Sequence, residues 1–151
     1  MSPDRIEREI TIAAPVERVW SVLTDAEHIN GWFADDGAEL DLRPGGALVM
    51  SWKKHGTTRA RVEAVEPPRR FAYRWTAHHA EQGAEPGEGN STLVEFTLAP
   101  EGDATRLRVV ESGFAVLATT DEQRQGNYDD NVGGWKQVLE QLDAHVGRVA
   151  V

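Results

Sequence analysis

The chain has 151 residues, 40% of them hydrophobic and 27% charged, the composition of a globular protein rather than of a disordered tail or a collagen. A formal charge of −9, from 16 Lys and Arg against 25 Asp and Glu, has the wrong sign for attraction to phosphate backbones or anionic membranes, so nucleic acid and membrane surfaces are not expected partners. There is no cysteine, which excludes a disulfide frame, a thiolate metal site and a cysteine nucleophile.

Met1 to Arg5 are not followed by the apolar core of a signal peptide, and no apolar run approaches the ~18 residues of a spanning helix, so the expected location is cytoplasmic. The length suits one domain over 1–151. Ile6, Ile10 and Ile12 alternate with Glu7, Glu9 and Thr11, a period of two that predicts a first strand over Arg5 to Ile12. Pro15 then opens a segment with Val16, Val19, Trp20 and Leu23 at helical spacing. Thr24-x-x-Glu27 has the form of a capping box and predicts a second short helix running into Asn30-Gly31-Trp32-Phe33.

From Gly37 the pattern changes to strands divided by turns. Leu40 and Leu42 precede Pro44-Gly45-Gly46. Leu48, Met50 and Trp52 alternate, His55-Gly56 turns the chain into Thr57 to Glu66, and Phe71, Tyr73 and Trp75 follow Pro67-Pro68 at period two. Ala80 to Ser91, rich in Gly and Glu, reads as a loop long enough to be functional. Val94, Phe96 and Leu98, then Leu107, Val109 and Glu111, complete an antiparallel meander of about seven strands.

Val132, Trp135, Leu139, Leu142, Val146 and Val149 are spaced three and four apart, a stripe that only a helix aligns. Thr120-x-x-Gln123 marks its start. Gly126, Gly133 and Gly134 each cost ~1 kcal/mol relative to Ala in a helix, and the expectation is that the adjacent pair permits close contact with the sheet or a kink. An antiparallel sheet curled around this helix buries both patterns, and a curved sheet closing incompletely on a cylinder leaves space for large side chains or a ligand.

Six segments in this order carry a resemblance: Ala14-Pro15-x-x-x-Val19-Trp20, Gly31-Trp32-Phe33, Pro44-Gly45-Gly46, Val65-Glu66-Pro67-Pro68-Arg69-Arg70-Phe71-x-Tyr73-x-Trp75, Val110-Glu111-Ser112-Gly113-Phe114, and Asn131-x-x-Gly134-Trp135-x-x-x-Leu139-x-x-Leu142. Over roughly residues 5–147 the chain resembles the family of homologues of the activator of heat-shock-protein ATPase, in the START/polyketide cyclase (SRPBCC) superfamily. The resemblance implies an α+β helix-grip fold like that of the birch pollen allergen: a curved antiparallel sheet around a long C-terminal helix, with two short helices after the first strand. Members of this superfamily include lipid and hormone carriers and aromatase/cyclases, so the fold alone does not choose a function. Many relatives have His at the position of Glu111, and chemistry that depends on that histidine does not transfer.

The candidate ligand-binding residues are Trp32, Phe33, Trp52, Phe71, Tyr73, Trp75, Phe96, Glu111, Trp135 and Leu139. The aromatics combine apolar area with single polar handles, as suits a planar ligand and equally a plain core. Glu111 shares the register of Leu107 and Val109 and is the one candidate for acid–base chemistry; the ordinary alternative is a strand-end carboxylate paired with an Arg or with backbone N–H groups. His78 and His79 are neighbours in an extended chain, while His28, His55 and His145 fall in separate elements, so no metal site is expected. Asp129-Asp130-Asn131 lacks EF-hand spacing, Asn90-Ser91-Thr92 matches a glycosylation acceptor without a secretory signal, and Ser112 is not in a nucleophile elbow.

The leading expectation is a protein that binds a small hydrophobic molecule in an internal cavity between the sheet and the helix from about Thr120 to Val146, without a cofactor. The Trp32-Phe33 corner and the Ala80–Ser91 loop would control access. The alternatives are a cyclase, aromatase or dehydratase using the same cavity, and a co-chaperone-like module that binds protein. Exposed strand edges are compatible with a homodimer.

Overall fold

The computed structural model describes residues 4–81 and 83–149. Strand β1 (Arg5–Ile12) leads into helices α1 (Val16–Thr24) and α2 (Ala26–Trp32), followed by β2 (Ala38–Leu40), β3 (Ala47–Trp52), β4 (Gly56–Glu66), β5 (Arg70–Thr76), β6 (Ser91–Glu101) and β7 (Ala104–Ser112). A single 3-10 turn (Phe114–Val116) then precedes the long helix α3 (Asp121–Val149). The strands form one antiparallel sheet in the order β1-β7-β6-β5-β4-β3-β2, in which, among the described residues, β1 beside β7 is the one pairing of strands not consecutive in the chain. This is the α+β helix-grip arrangement: a curved sheet wrapped on α3, with α1 and α2 across one end.

The period-two pattern decides which face of the sheet is buried. Leu48 and Met50 of β3, Phe71 and Tyr73 of β5, Val94, Phe96 and Leu98 of β6, and Leu107, Val109 and Glu111 of β7 all point inward. Apart from Ala72, which is also buried, the intervening residues lie on the outer face, where Arg108 meets Glu7 and Arg70 meets Glu95 and Glu66; exposed pairs of this kind contribute ~0–1 kcal/mol each. The register shifts between Val62 and Ala64 in the β4–β5 ladder, an irregularity that bends the strand and helps the sheet to curl. Helix α3 turns Trp135, Leu139, Leu142 and Val146 into the core. Fully burying a leucine is worth about 1.5–3 kcal/mol, so this stripe outweighs the unfavourable propensity of the helix's glycines. Val132 is only partly buried against the core, and the side chain of Val149 lies outside the described residues.

Three local expectations are corrected. Helix α2 is capped by Asp25, not Thr24: the Asp25 carboxylate accepts from the N–H groups of Glu27 and His28 at 2.9 and 3.4 Å. Asp25 has the extended backbone that a cap needs, whereas Thr24 is still helical and its hydroxyl donates to the Trp20 carbonyl. At α3 the Thr120 hydroxyl accepts from the Gln123 N–H at 3.1 Å, but the Gln123 side chain turns to the Thr119 hydroxyl, so only half of the capping box forms. The glycines of α3 permit no close contact with the sheet. A Cβ built on Gly126, Gly133 or Gly134 would meet nothing within 4 Å. The close approach is instead at Gly31 of α2, where a Cβ would lie 2.6 Å from His145 Cε1.

That contact joins α2 to α3. His28 Nδ1 and His145 Nε2 are 3.0 Å apart, one ring donating to the other, although the two residues are 117 positions apart in sequence. Burial, then the charges of His28 and Arg148, hold the His145 imidazole below its ordinary value of 6.5. The unfolded chain therefore takes up this proton first as pH falls. The contribution of His145 is fully present above pH 6.5 and is lost as pH falls through its lower folded value. Urea titrations from pH 7.5 down to 5 should show wild-type stability falling on acidification, with a shallower fall in His145→Gln; parallel curves would contradict this.

Candidate functional site

Glu111 is the second-last residue of β7 and is only 1% exposed. Its register opposite Val94 on β6 and Ile6 on β1 points the carboxylate inward toward α3. Four side chains from three elements donate to it. Trp75 Nε1 of β5 lies at 2.9 Å and Trp135 Nε1 of α3 at 2.8 Å. Asn131 Nδ2 reaches both oxygens at 2.9 and 3.1 Å, and the Thr92 hydroxyl of β6 completes the set. Asn131 and Trp135 stand one helical turn apart, so both reach the same point. Every partner in this set is neutral. The alternative of an Arg or backbone partner at the strand end is therefore replaced by a cradle of indole, amide and hydroxyl donors.

The cradle closes one end of a cleft of about 1270 Å³ that opens to solvent between α2, α3, the ends of β3–β5 and the segment 76–81. Phe33, Trp52 and Trp75, each half-buried, form its apolar wall. On its α3 side, Gly133 and Gly134 leave a step without side chains between Asn131 and Gln137. Asp35, Glu81, Asp129 and Asp130 outnumber Lys54 and Arg148 at its edges. The Asn127 side chain, 4% exposed, accepts from the His78 N–H at 2.9 Å and holds the segment after β5 against the helix.

The ten candidate residues fall into two groups. Trp32, Phe33, Trp52, Trp75 and Glu111 border the open cleft. Phe71, Tyr73 and Phe96 are buried beneath it and line, with Trp32 and Phe33, a void of about 10 Å³. Trp135 and Leu139 are 3% and 2% exposed within the core. Between the two spaces Phe33 stacks on Trp32 and meets Trp52, Trp75 and Trp135 edge-on, with ring centroids 5.2–5.8 Å apart. Such contacts add ~0.5–1.5 kcal/mol each beyond burial. In place of the internal cavity expected between sheet and helix, the structure has an open cleft and a small separate void, with the aromatic rings of the helical corner between them and in contact with Trp135 of α3.

Thr92, Asn131 and the two glycines belong to the site and went unassigned in the sequence. The available signal was the spacing of Asn131 and Trp135 on the helix facing a strand that ends in Glu111. Among the described residues no group of three or more His, Asp or Glu could hold a metal ion, and no helix is long and apolar enough to cross a membrane. His78 lies 3.6 Å from Asp130.

Residues 13–147 match the family described as Activator of Hsp90 ATPase homolog 1-like protein. Protein MLL2253 of Mesorhizobium loti has a solved structure with a TM-score of 0.77 at 28% identity, covering 96% of this chain and 98% of that one. CalU16 of Micromonospora echinospora aligns with a TM-score of 0.69 at 27% identity over 94% of this chain and 75% of its own. DynU16, from the dynemicin biosynthetic locus, shares the fold with a TM-score of 0.74 at 21% identity; the alignment covers 96% of this chain but 48% of DynU16. Among proteins with curated functions, none matches this sequence.

Replacing Glu111 by Gln keeps the shape but turns one acceptor oxygen into a donor facing other donors. Orphaning buried donors costs about 1–3 kcal/mol apiece, so Glu111→Gln should lower the unfolding free energy by about 2–4 kcal/mol in urea titration. A loss below about 0.5 kcal/mol would show that the cradle contributes little to stability.

Proposed function

The chain belongs to the Activator of Hsp90 ATPase homolog 1-like family, and from that premise and the geometry of the cleft we propose that it binds a small, flat, largely apolar molecule between α2, α3 and the ends of β3–β5. The observation that carries this reading is the combination of half-exposed Phe33, Trp52 and Trp75 on one wall with a bare Gly133-Gly134 step on the other. Two glycines in the middle of a 29-residue helix are unfavourable to it, and their Cβ positions are open space, so packing does not require them. Keeping that space free for a ligand gives them a purpose.

The same geometry favours binding over proton transfer. The acceptor sites of Glu111 are occupied by protein donors, and a proton shuttle needs a lone pair directed at substrate within hydrogen-bond reach. A protein-docking role is less well supported. Among the described residues the exposed large hydrophobics are Leu42, in the loop between β2 and β3, and Val116, in the 3-10 turn, too few to make an extended apolar docking surface.

Native mass spectrometry of freshly purified protein should reveal a retained small molecule, and Gly134→Leu, filling the cleft, should abolish it. Gly134→Ala should raise stability by about 0.5–1 kcal/mol through helix propensity. A Gly134→Ala variant less stable than wild type would mean that the glycine serves the fold. Undiminished retention in Gly134→Leu would place the ligand elsewhere.

A further inference from the structure

Beneath the cleft, the Tyr73 hydroxyl is the one buried side-chain polar atom among the described residues without a hydrogen-bond partner. Tyr73 is 2% exposed and is wedged between Phe71, Trp75 and Phe96, with ring centroids 5.7–6.2 Å away. It borders the 10 Å³ void, whose other walls include Leu23, Ile29, Met50 and Phe96. Buried polar groups are ordinarily satisfied, and one that is not calls for an explanation. A trapped water is a poor one. A buried water needs two to four polar partners, and no residue lining this void except Tyr73 carries a hydroxyl, amide or charge, the Trp32 indole N–H being already committed to the Val22 carbonyl at 3.0 Å.

Trp32 and Phe33 line both the void and the open cleft, so they form the partition between them. Trp32 is anchored by its bond to Val22. The Phe33 side chain has no such tether: its backbone is fixed by the Ile29 carbonyl and the Trp52 indole N–H, but its half-buried ring makes only packing contacts, among them the rings of Trp32, Trp52, Trp75 and Trp135. Of the two partition residues, Phe33 is thus the one whose side chain no hydrogen bond fixes.

Building on the binding site proposed above, we infer that Phe33 is a gate, and that behind it the Tyr73 hydroxyl donates a hydrogen bond to a neutral carbonyl oxygen at the leading end of a flat apolar ligand. The donor role follows from the phenol's surroundings. Burial first, and the Glu111 charge second, push the Tyr73 hydroxyl well above its ordinary range, so it keeps its proton. The exclusion of an anion follows from Glu111, whose hydrogen-bond donors among the described residues are all neutral side chains. A ligand carboxylate delivered beside it would meet an uncompensated like charge in a poorly solvated place.

Three naphthalene probes of matched size test this by calorimetric titration: acetylnaphthalene, ethylnaphthalene and naphthoate. The ketone should bind wild type about tenfold or more tightly than the ethyl compound, since it relieves an orphaned donor, and naphthoate should bind most weakly. In Tyr73→Phe the ketone's advantage should vanish while ethylnaphthalene keeps its affinity. In Phe33→Ala, stopped-flow association of the ketone should be faster than in wild type. Equal affinity of the two neutral probes for wild type needs no variant to interpret, and it would overturn the Tyr73 assignment while leaving the cleft as a binding site. A ketone preference that survives in Tyr73→Phe would do the same, and an unchanged association rate in Phe33→Ala would remove the gate. Failure of all three probes to bind wild type would count against the cleft itself.

Discussion

An acidic side chain buried with only neutral partners among the described residues is the constraint around which this molecule is organised. Taking an ion out of water costs several kcal/mol even after relaxation, and Glu111, 1% exposed, offsets that only through donors brought from β5, β6 and α3. The donors are useful only if the helix is rotated so that Asn131 and Trp135 both point at the strand end. The apolar stripe of α3 attracts the helix to the sheet but is tolerant of small rotations, since dispersion and burial are not directional. Hydrogen bonds to a fixed carboxylate are directional, and they lock the helix in one orientation.

That orientation decides where the cleft lies. With Asn131 and Trp135 committed to Glu111, the neighbouring Gly133 and Gly134 border the cleft, and Asn127 one turn earlier holds the segment after β5 in place. The Trp75 indole has one edge in the Glu111 cradle and belongs also to the cleft wall. A polar anchor and an apolar wall therefore share a side chain, so the geometry of the binding surface is tied to the stability of the core. The arrangement suits recognition by shape and ring contact, with polar groups fixed in advance rather than free to react.

The core behind the cleft is unusually aromatic, and its density explains why the space between sheet and helix is not one chamber. Phe33, at the end of α2, reaches across to Trp75 and Trp135 and separates an open outer cleft from a void too small for more than one water. The paired histidines 28 and 145 and the bare face of Gly31 hold α2 against α3, which keeps the Phe33 corner in position. The geometry of that junction depends on two helices far apart in the chain, and so does the partition it supports.

Much of the fold was legible because its causes are local and periodic. Alternation at Phe71, Tyr73 and Trp75 reports a strand with one buried face, and the spacing from Trp135 to Val146 reports a helix with one buried stripe, since both periods follow from backbone geometry alone. The same alternation placed Glu111 on the inner face beside Leu107 and Val109. Its partners were not legible: Trp75, Thr92, Asn131 and Trp135 come from three elements, and only the sheet order and the rotation of α3 bring them to one carboxylate. Nor could spacing reveal that Gly133 and Gly134 face empty space rather than the sheet, or that His28 meets His145. The amino-acid order by itself determined the elements, their inward faces and the burial of an acidic group. Which groups satisfy that acid, and where open space remains, was decided only in the folded molecule, because hydrogen bonding and packing depend on distances between segments that no local period encodes.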